Sequence, residues 1–159
     1  MVTWNEFETA EPVLAAKVRA SFEAGRHKTM ATLRADGSPR ISGTECEFVD
    51  GRLQLGSMTG SRKGADLVRD PRCALHGPTF HPEPGRETDW PGEAKIAGLA
   101  ELAGALAGED GDTGAAESQG ELFVIDVREV VHTGLNDAGT ALVVEWWTPE
   151  GGRRRIERE

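Results

Sequence analysis

Residues 28–58 read KTMATLRADGSPRISGTECEFVDGRLQLGSM and contain three strand-like runs separated by two Asp-Gly pairs. Asp36-Gly37 and Asp50-Gly51 indicate tight turns, because such pairs readily adopt the positive φ angles of short hairpins. The pattern predicts a meander of three antiparallel strands over KTMATLR, ISGTECEFV and RLQLGSM. Neither face of the middle strand is cleanly apolar, which is typical of a strand that lines a polar site rather than a dry core.

The segments on either side predict a mainly β domain with helices around it. Before the meander, EPVLAAKVRASFEAG repeats Leu14, Val18 and Phe22 every four positions, which indicates an amphipathic helix. After it, the sequence predicts strands at RCALHG, AKIAGLAELA, ELFVIDVREVVHTGL and TALVVEWWT, a long loop at 78–93, a surface segment at 104–120 and an exposed charged tail. Strands that follow one another as hairpins favour an antiparallel barrel over a doubly wound parallel sheet.

Length and charge restrict the class of protein. A chain of 159 residues suits one domain, taken here as residues 1–159. Its net charge of −9 argues against nucleic acid or an anionic membrane surface as a partner. Residues 1–13 lack the pattern of a secretory signal, and no apolar run approaches the roughly 20 residues that span a bilayer. We therefore expect a cytoplasmic protein in which Cys46 and Cys73 are reduced, rather than joined as a disulfide.

The stretch GSMTGSRKGADLVRDPRCALH, residues 56–76, has an unusual distribution of charge. Ser61 is a good N-cap for a short helix, yet Arg62 and Lys63 follow it, where the helix dipole disfavours cations. An anion would explain them, because backbone N–H groups, both cations and nearby hydroxyls such as that of Ser57 would converge on one phosphate. The alternative is a solvated surface turn that tolerates both cations. The glycine spacing matches neither a Walker A loop nor a Rossmann fingerprint.

Residues 24–104 resemble the opening barrel of the pyridoxamine 5′-phosphate oxidase-like, FMN-binding split-barrel family. The resemblance lies in the ATLRADGSPR hairpin, the DGRL turn, and the helix and strand SRKGADLVRDPRCAL. It implies a mainly β (α+β) fold, an antiparallel split β-barrel with flanking helices. It also implies a homodimer with cofactors in clefts between the subunits. Members of the family use FMN, a deazaflavin or, in some branches, haem.

Carried over by position, the resemblance implies a cofactor site built from four segments. Ser61, Arg62 and Lys63 would hold the cofactor phosphate. The other residues would lie along the flavin ring or ribityl chain: Met30, Ala31, Thr32 and Leu33 on the first strand, Ser42, Gly43 and Thr44 on the second, and Gly56, Ser57 and Met58 on the third.

The resulting expectation is an FMN-binding flavoprotein, an oxidoreductase that acts on an unknown small molecule. The flavin would pass a hydride or electrons between a reductant and that substrate, so few catalytic side chains are required and none is assigned. Nothing in the chain matches the substrate-binding residues of the true vitamin B6 oxidases. A deazaflavin-dependent reductase, a non-catalytic flavin- or haem-binding protein, and a barrel with an empty cleft remain alternatives.

Other reactive or aromatic side chains carry weaker patterns. Cys73, His76 and His81 have too loose a spacing to predict a metal site, and we expect a strand cysteine and two ordinary loop histidines. Either histidine is an alternative candidate for a proton donor beside the ring. Trp146 and Trp147 are adjacent on a strand, so they face opposite sides and at most one reaches a given pocket.

Overall fold

The computed structural model describes residues 1–106 and 120–159. Within them the chain forms three α-helices, one short 3-10 helix at Glu87–Asp89 and nine strands in one antiparallel sheet. The helices are α1 (Trp4–Ala10), α2 (Pro12–Glu23) and α3 (Arg62–Arg69). The strands are β1 (Lys28–Leu33), β2 (Pro39–Thr44), β3 (Cys46–Val49), β4 (Arg52–Met58), β5 (Arg72–His76), β6 (Glu93–Ala105), β7 (Gly120–Leu135), β8 (Leu142–Thr148) and β9 (Gly152–Arg158). Most of the predicted surface segment at 104–120 lies outside the described residues.

The two predicted hairpins are confirmed, but the three-stranded meander is wrong. β1 pairs with β2, and β3 pairs with β4 through a turn in which Asp50 and Gly51 both have positive φ. The predicted middle strand breaks at Glu45 into β2 and β3, which have different partners. The hydrogen-bonded order is β2-β1-β5-β6-β7-β4-β3, so the chain crosses at Glu45 from one end of the sheet to the other. As a result β2 and β3, although adjacent in the chain, are not paired with each other.

The long β6–β7 pair forms the middle of the sheet and contains two irregularities in register. One lies between Ala97 and Gly98, where β6 approaches β7 so closely that a Cβ on Gly98 would overlap the carbonyl oxygen of Asp126. Only glycine fits such an approach without a shift of backbone. The predicted strands at β5, β6, β7 and β8 are all confirmed.

Two elements of the fold, α1 and β9, were not predicted from the sequence. The short helix α1 begins with a capping box between Thr3 and Glu6, and it buries Trp4 and Phe7 completely. The charged tail is exposed, as expected, but it forms β9 by pairing with β8. Arginines and glutamates favour strands only weakly, so the backbone partners offered by β8 determine this element.

The core lies between the sheet and the first two helices. Its largest fully buried side chains include Trp4, Phe7, Leu14, Phe22, Met30, Leu53, Leu55, Ile96, Phe123 and Ile125. Trp147 joins this core, with its ring 4.9 Å from that of Phe7, whereas Trp146 is half-buried on the opposite face. Of the helices in the described ranges, none is both long and apolar enough to cross a membrane.

Candidate functional site

A cleft of about 700 Å³ opens between the end of β2 and the β3–β4 hairpin. Its volume is within the range of small-molecule sites. The end of β2, Glu45 and β3 supply part of the lining: Gly43, Thr44, Glu45, Cys46, Glu47 and Val49. The strand β4 supplies Gln54, Leu55, Gly56, Ser57 and Met58. The lining is completed by His27, Lys63, Leu106 and Leu122. The cleft therefore has a polar side along β2 and α3 and an apolar side of leucines.

Lys63 carries the positive charge of this cleft. Its Nζ donates to the carbonyl oxygen of Gly43 at 3.1 Å and to Oγ1 of Thr44 at 3.2 Å. Both partners are neutral, and no carboxylate of the described residues forms an ion pair with Lys63. Burial lowers the pKa of the ammonium, and Glu45 opposes that effect. Lys63 thus connects the start of α3 to the end of β2 and lacks a close counter-ion.

The first turn of α3 is tightly packed against β4 and β7. Ser61 is the N-cap, as predicted, and its Oγ accepts a hydrogen bond from the Gly64 N–H at 3.0 Å. The Ser57 and Ser61 hydroxyls are 2.5 Å apart. A Cβ on Gly64 would lie 2.5 Å from Oε2 of Glu121 and 2.6 Å from Oγ of Ser57. Glycine at this position therefore brings both serines and a carboxylate to the helix N-terminus.

Glu121 is a residue of this region that the sequence reasoning missed. Its Oε2 is buried and has no hydrogen-bond partner among the described residues. A carboxylate at a helix N-terminus is favoured by the dipole, so Glu121 balances part of the positive end of α3. Nothing in the sequence relates the first residues of β7 to a helix that begins about sixty residues earlier; the pairing of β4 with β7 brings them together.

Arg62 and Lys63 point into different pockets. Lys63 lines the cleft, whereas Arg62 lines a shallow pocket on the other side of α3, together with Arg34, Arg40 and Arg69. Consecutive helical residues are about 100° apart around the axis, so they diverge unless the chain bends them together. The predicted convergence of both cations on one phosphate is therefore not what the structure displays; only Lys63 faces the cleft.

The predicted residues of β1 lie away from the cleft lining. Met30 is completely buried in the core, and Thr32 donates from Oγ1 to the buried carboxylate of Asp66 at 2.9 Å. Ala31 and Leu33 are half-buried, and neither lines the cleft, nor does half-buried Ser42 on β2. The structure brings six of the predicted residues together in the cleft: Gly43, Thr44, Gly56, Ser57, Met58 and Lys63.

Both cysteines are buried and unpaired with each other. Burial raises the pKa of the Cys46 thiol to about 11 and that of Cys73 to about 12, so both are protonated at neutral pH. His76 contacts Glu93 at 3.4 Å rather than either cysteine. In the described ranges, no three side chains of the metal-ligating types are grouped closely enough to hold a metal ion.

The family model for pyridoxamine 5′-phosphate oxidase matches residues 14–133, a range that contains every residue of the cleft lining. The chain belongs to the pyridoxamine 5′-phosphate oxidase family. Membership confirms the resemblance drawn from the two hairpins and from the α3–β5 segment. A search of curated protein sequences found no match to this chain.

Solved structures share the fold of this family member at low sequence identity. A haem binding protein from Mycobacterium smegmatis is 16% identical, with a TM-score of 0.59 over 92% of this chain and 88% of that one. A pyridoxamine 5′-phosphate oxidase-related, FMN binding protein from Nostoc punctiforme is 13% identical, with a TM-score of 0.59 over 96% and 97%. PhzG from Burkholderia lata, in complex with tetrahydrophenazine-1-carboxylic acid, is 12% identical, with a TM-score of 0.60 over 96% and 88%. Identities this low establish a common fold only.

Proposed function

We propose that the cleft binds FMN and that the protein is a flavin-dependent oxidoreductase acting on a small molecule. The observation that carries the proposal is Lys63, a cleft-lining ammonium whose hydrogen-bond partners are both neutral oxygens. A phosphate dianion would supply the missing counter-charge and accept a charge-assisted hydrogen bond. Family membership supports a cofactor of this class, and the Nostoc protein of the same fold is an FMN binding protein.

The lining residues fit the chemical parts of FMN. Lys63 and the hydroxyls of Ser57 and Thr44 are donors suited to phosphate and ribityl oxygens. Leu106 and Leu122 offer apolar surface to a flavin ring, and Gly56 lies directly against Leu106, since a Cβ there would be 2.9 Å from its Cδ1. Leucine side chains and hydroxyls in one cleft suit a ligand that is apolar at one end and anionic at the other.

Glu45, a carboxylate of the cleft lining, does not prevent anion binding. Glu45 is paired with Arg26 at 2.9 Å, and the hydrogen bond from Arg26 lowers the pKa of Glu45. Since its charge is already compensated, Glu45 repels a bound phosphate less than a free carboxylate would. When bound, FMN supplies hydride or electron transfer, and the residues of this chain bind and orient it. Cys46, buried and protonated, contributes no charge beside the ring.

A homodimer is part of this proposal. Met58 lines the cleft with 78% of its surface exposed, and Ile41 on β2 is 75% exposed. Large apolar side chains this exposed beside a binding cleft favour coverage by another protein surface. A second copy of the chain would cover them and close the cleft, as the family resemblance implies. The cytoplasmic location stays a prediction from the sequence.

Haem binding without turnover is the second candidate. His27 lines the cleft, with its side chain 83% exposed and 3.5 Å from Glu45, and histidine is a common axial ligand of haem. The M. smegmatis protein of the same fold is a haem binding protein. The two candidates differ in their use of Lys63, because a phosphate requires it and an iron ligand does not.

A flavin titration with matched variants tests the phosphate assignment. Wild-type protein, Lys63→Ala and the control Lys95→Ala, an exposed lysine of β6 outside the cleft, are titrated with FMN and with riboflavin, and flavin fluorescence is recorded. We expect Lys63→Ala to weaken FMN binding about ten-fold or more, because one charge-assisted contact is lost. Riboflavin lacks the phosphate, so its affinity should be the same in all three proteins. Equal FMN affinity in Lys63→Ala and wild type would refute the assignment.

Turnover is tested separately with the FMN-loaded protein. NADH or NADPH is added anaerobically, followed by an electron acceptor, and the flavin absorbance is recorded at each step. Bleaching by the nicotinamide and recovery with the acceptor is the expected result. A bound flavin that no donor reduces would contradict the oxidoreductase while leaving the FMN site intact.

A further inference from the structure

A shallow pocket of about 460 Å³ lies between the β1–β2 hairpin and the exposed face of α3. We call it the arginine pocket. Its lining residues are Arg34, Ala35, Asp36, Arg40, Arg62, Ala65, Asp66 and Arg69. It lies on the opposite side of α3 from Lys63 and shares no lining residue with the cleft.

The arginine pocket has an excess of positive charge in an acidic protein. Four guanidiniums face two carboxylates, which leaves two positive charges uncompensated, although the whole chain carries a net charge of −9. Asp66 pairs with Arg40 and Arg69. Within residues 1–106 and 120–159, the Arg34 guanidinium donates only to the Pro39 carbonyl and the Ser38 hydroxyl. Arg62 makes no hydrogen bond or ion pair with the described residues.

Most of these guanidiniums are already held in place. Asp66 is 3% exposed and accepts from Arg40 Nε at 2.6 Å and from Arg69 at 2.8 Å. Arg40 uses only its Nε in this bond, so its terminal N–H groups remain available to a ligand. Arg34 is fixed to the hairpin by its bond to the Pro39 carbonyl at 2.6 Å. Only Arg62 has to become ordered when an anion binds, which keeps the entropic cost of binding low.

Arginines arranged in this way match a phosphate ligand. A guanidinium presents parallel N–H donors that pair in two bonds with phosphate oxygens, and a cluster of guanidiniums suits more than one phosphate. We propose that the arginine pocket binds a diphosphate group, either free or carried by a nucleotide. Its two uncompensated positive charges would offset most of the negative charge of such a ligand. This proposal does not rest on FMN binding in the cleft.

Calorimetric titration with inorganic pyrophosphate tests the proposal. Wild-type protein is compared with the double variant Arg34→Ala/Arg62→Ala and with the control Arg52→Ala/Arg158→Ala, which removes the same charge from exposed arginines outside the pocket. We expect the first double variant to weaken binding about a hundred-fold, or about ten-fold for each guanidinium removed, and the control to resemble wild type. If the double variant does not fold, Arg62→Ala alone should weaken binding about ten-fold. Arg62 is exposed and forms no ion pair with the described residues, so its removal should not affect folding.

Two further measurements locate the ligand and its source. Lys63→Ala separates the arginine pocket from the cleft. Pyrophosphate binding that is lost in Lys63→Ala and fully kept in the arginine double variant would place the anion in the cleft and overturn the proposal. ADP that binds at least as tightly as pyrophosphate would indicate a nucleotide-borne diphosphate. Pyrophosphate that binds while ADP does not would indicate a free one. Wild-type protein that binds neither would overturn the proposal.

Discussion

Replacement of Asp66 by Asn tests how strongly a buried carboxylate joins α3 to the first hairpin. Its carboxylate accepts hydrogen bonds from Thr32 at 2.9 Å, Arg40 at 2.6 Å and Arg69 at 2.8 Å. The loss of one partner from a buried ion pair costs about 3–5 kcal/mol. Arg40 is 18% exposed and Arg69 is 41% exposed, so water restores part of their solvation. We therefore expect the lower end of that range, about 3 kcal/mol less free energy of unfolding at pH 7.

The pH dependence of this loss follows from the pKa of Asp66. The hydrogen bond from Arg40, followed by those from Arg69 and Thr32, holds this pKa well below its ordinary value, against the effect of burial. A carboxyl with a depressed pKa stabilises the folded state fully above its ordinary pKa, and that contribution is lost as the pH falls towards the folded value. The difference in unfolding free energy between wild type and Asp66→Asn should therefore narrow by about 1.4 kcal/mol for each pH unit below about pH 4.

Urea unfolding followed by tryptophan fluorescence measures this difference, because Trp4 is completely buried in the folded protein. Asp137→Asn, the same chemical change at an exposed turn residue, is the control and should lie within about 0.5 kcal/mol of wild type. The reasoning is refuted if Asp66→Asn costs less than about 1 kcal/mol at pH 7. A difference that stays constant between about pH 5 and about pH 3 would refute the electrostatic part.

Two other predictions concern the core and the sheet. The thiol pKa values of Cys46 and Cys73 are raised to about 11 and about 12, so both thiols should react slowly with iodoacetamide. We expect alkylation to be at least about a hundred-fold slower in the folded protein than in urea. Rapid labelling of the folded protein, detected by mass spectrometry, would contradict their burial. Gly98→Ala should lower the free energy of unfolding by about 1–3 kcal/mol, because its Cβ would overlap the Asp126 carbonyl. Gly104 lies at the other irregularity of β6, but its Cβ would face open space, so Gly104→Ala should change the free energy of unfolding little. An equal loss of unfolding free energy in both variants would show that the close approach to Asp126 is not the cause.

The sequence predicts much of this fold because its turns and apolar runs are local features. Asp-Gly pairs determine both hairpins, and Ser61 determines where α3 begins, since each depends only on neighbouring residues. The break at Glu45 could not be predicted in the same way. ISGTECEFV is compatible with one continuous strand, and only the partners available at each end of the sheet divide it. β9 was missed for a similar reason, because its pairing with β8 outweighs a composition that favours strands weakly.

Residues of the candidate site could be predicted where neighbours in the chain are also neighbours in space. Gly56, Ser57, Met58 and Lys63 come from one hairpin end and the helix that follows it, and the cleft contains all of them. Side-chain direction was harder to predict. Met30 points into the core because β1 alternates inward and outward, and no local feature of the sequence identifies which face is the cleft.

The residues that surround the Arg62 and Glu121 side chains are determined by tertiary structure, not by neighbours in the chain. Arg62 lies beside Arg40 and Arg69 only because the β1–β2 hairpin packs against α3. Glu121 reaches the first turn of α3 through the pairing of β4 with β7. Charge patterning along the chain identified a cationic segment, but the division of its two cations between separate pockets required the fold.

The visible absorption spectrum of the purified protein, recorded before and after equilibration with FMN and removal of unbound ligand, tests the central claim most directly. The account predicts flavin bands with one FMN retained per chain, and a marked loss of retained flavin in Lys63→Ala. A Soret band in the protein as purified would instead favour haem in the same fold. Protein that stays colourless after exposure to FMN would contradict the proposal that this cleft is a flavin site.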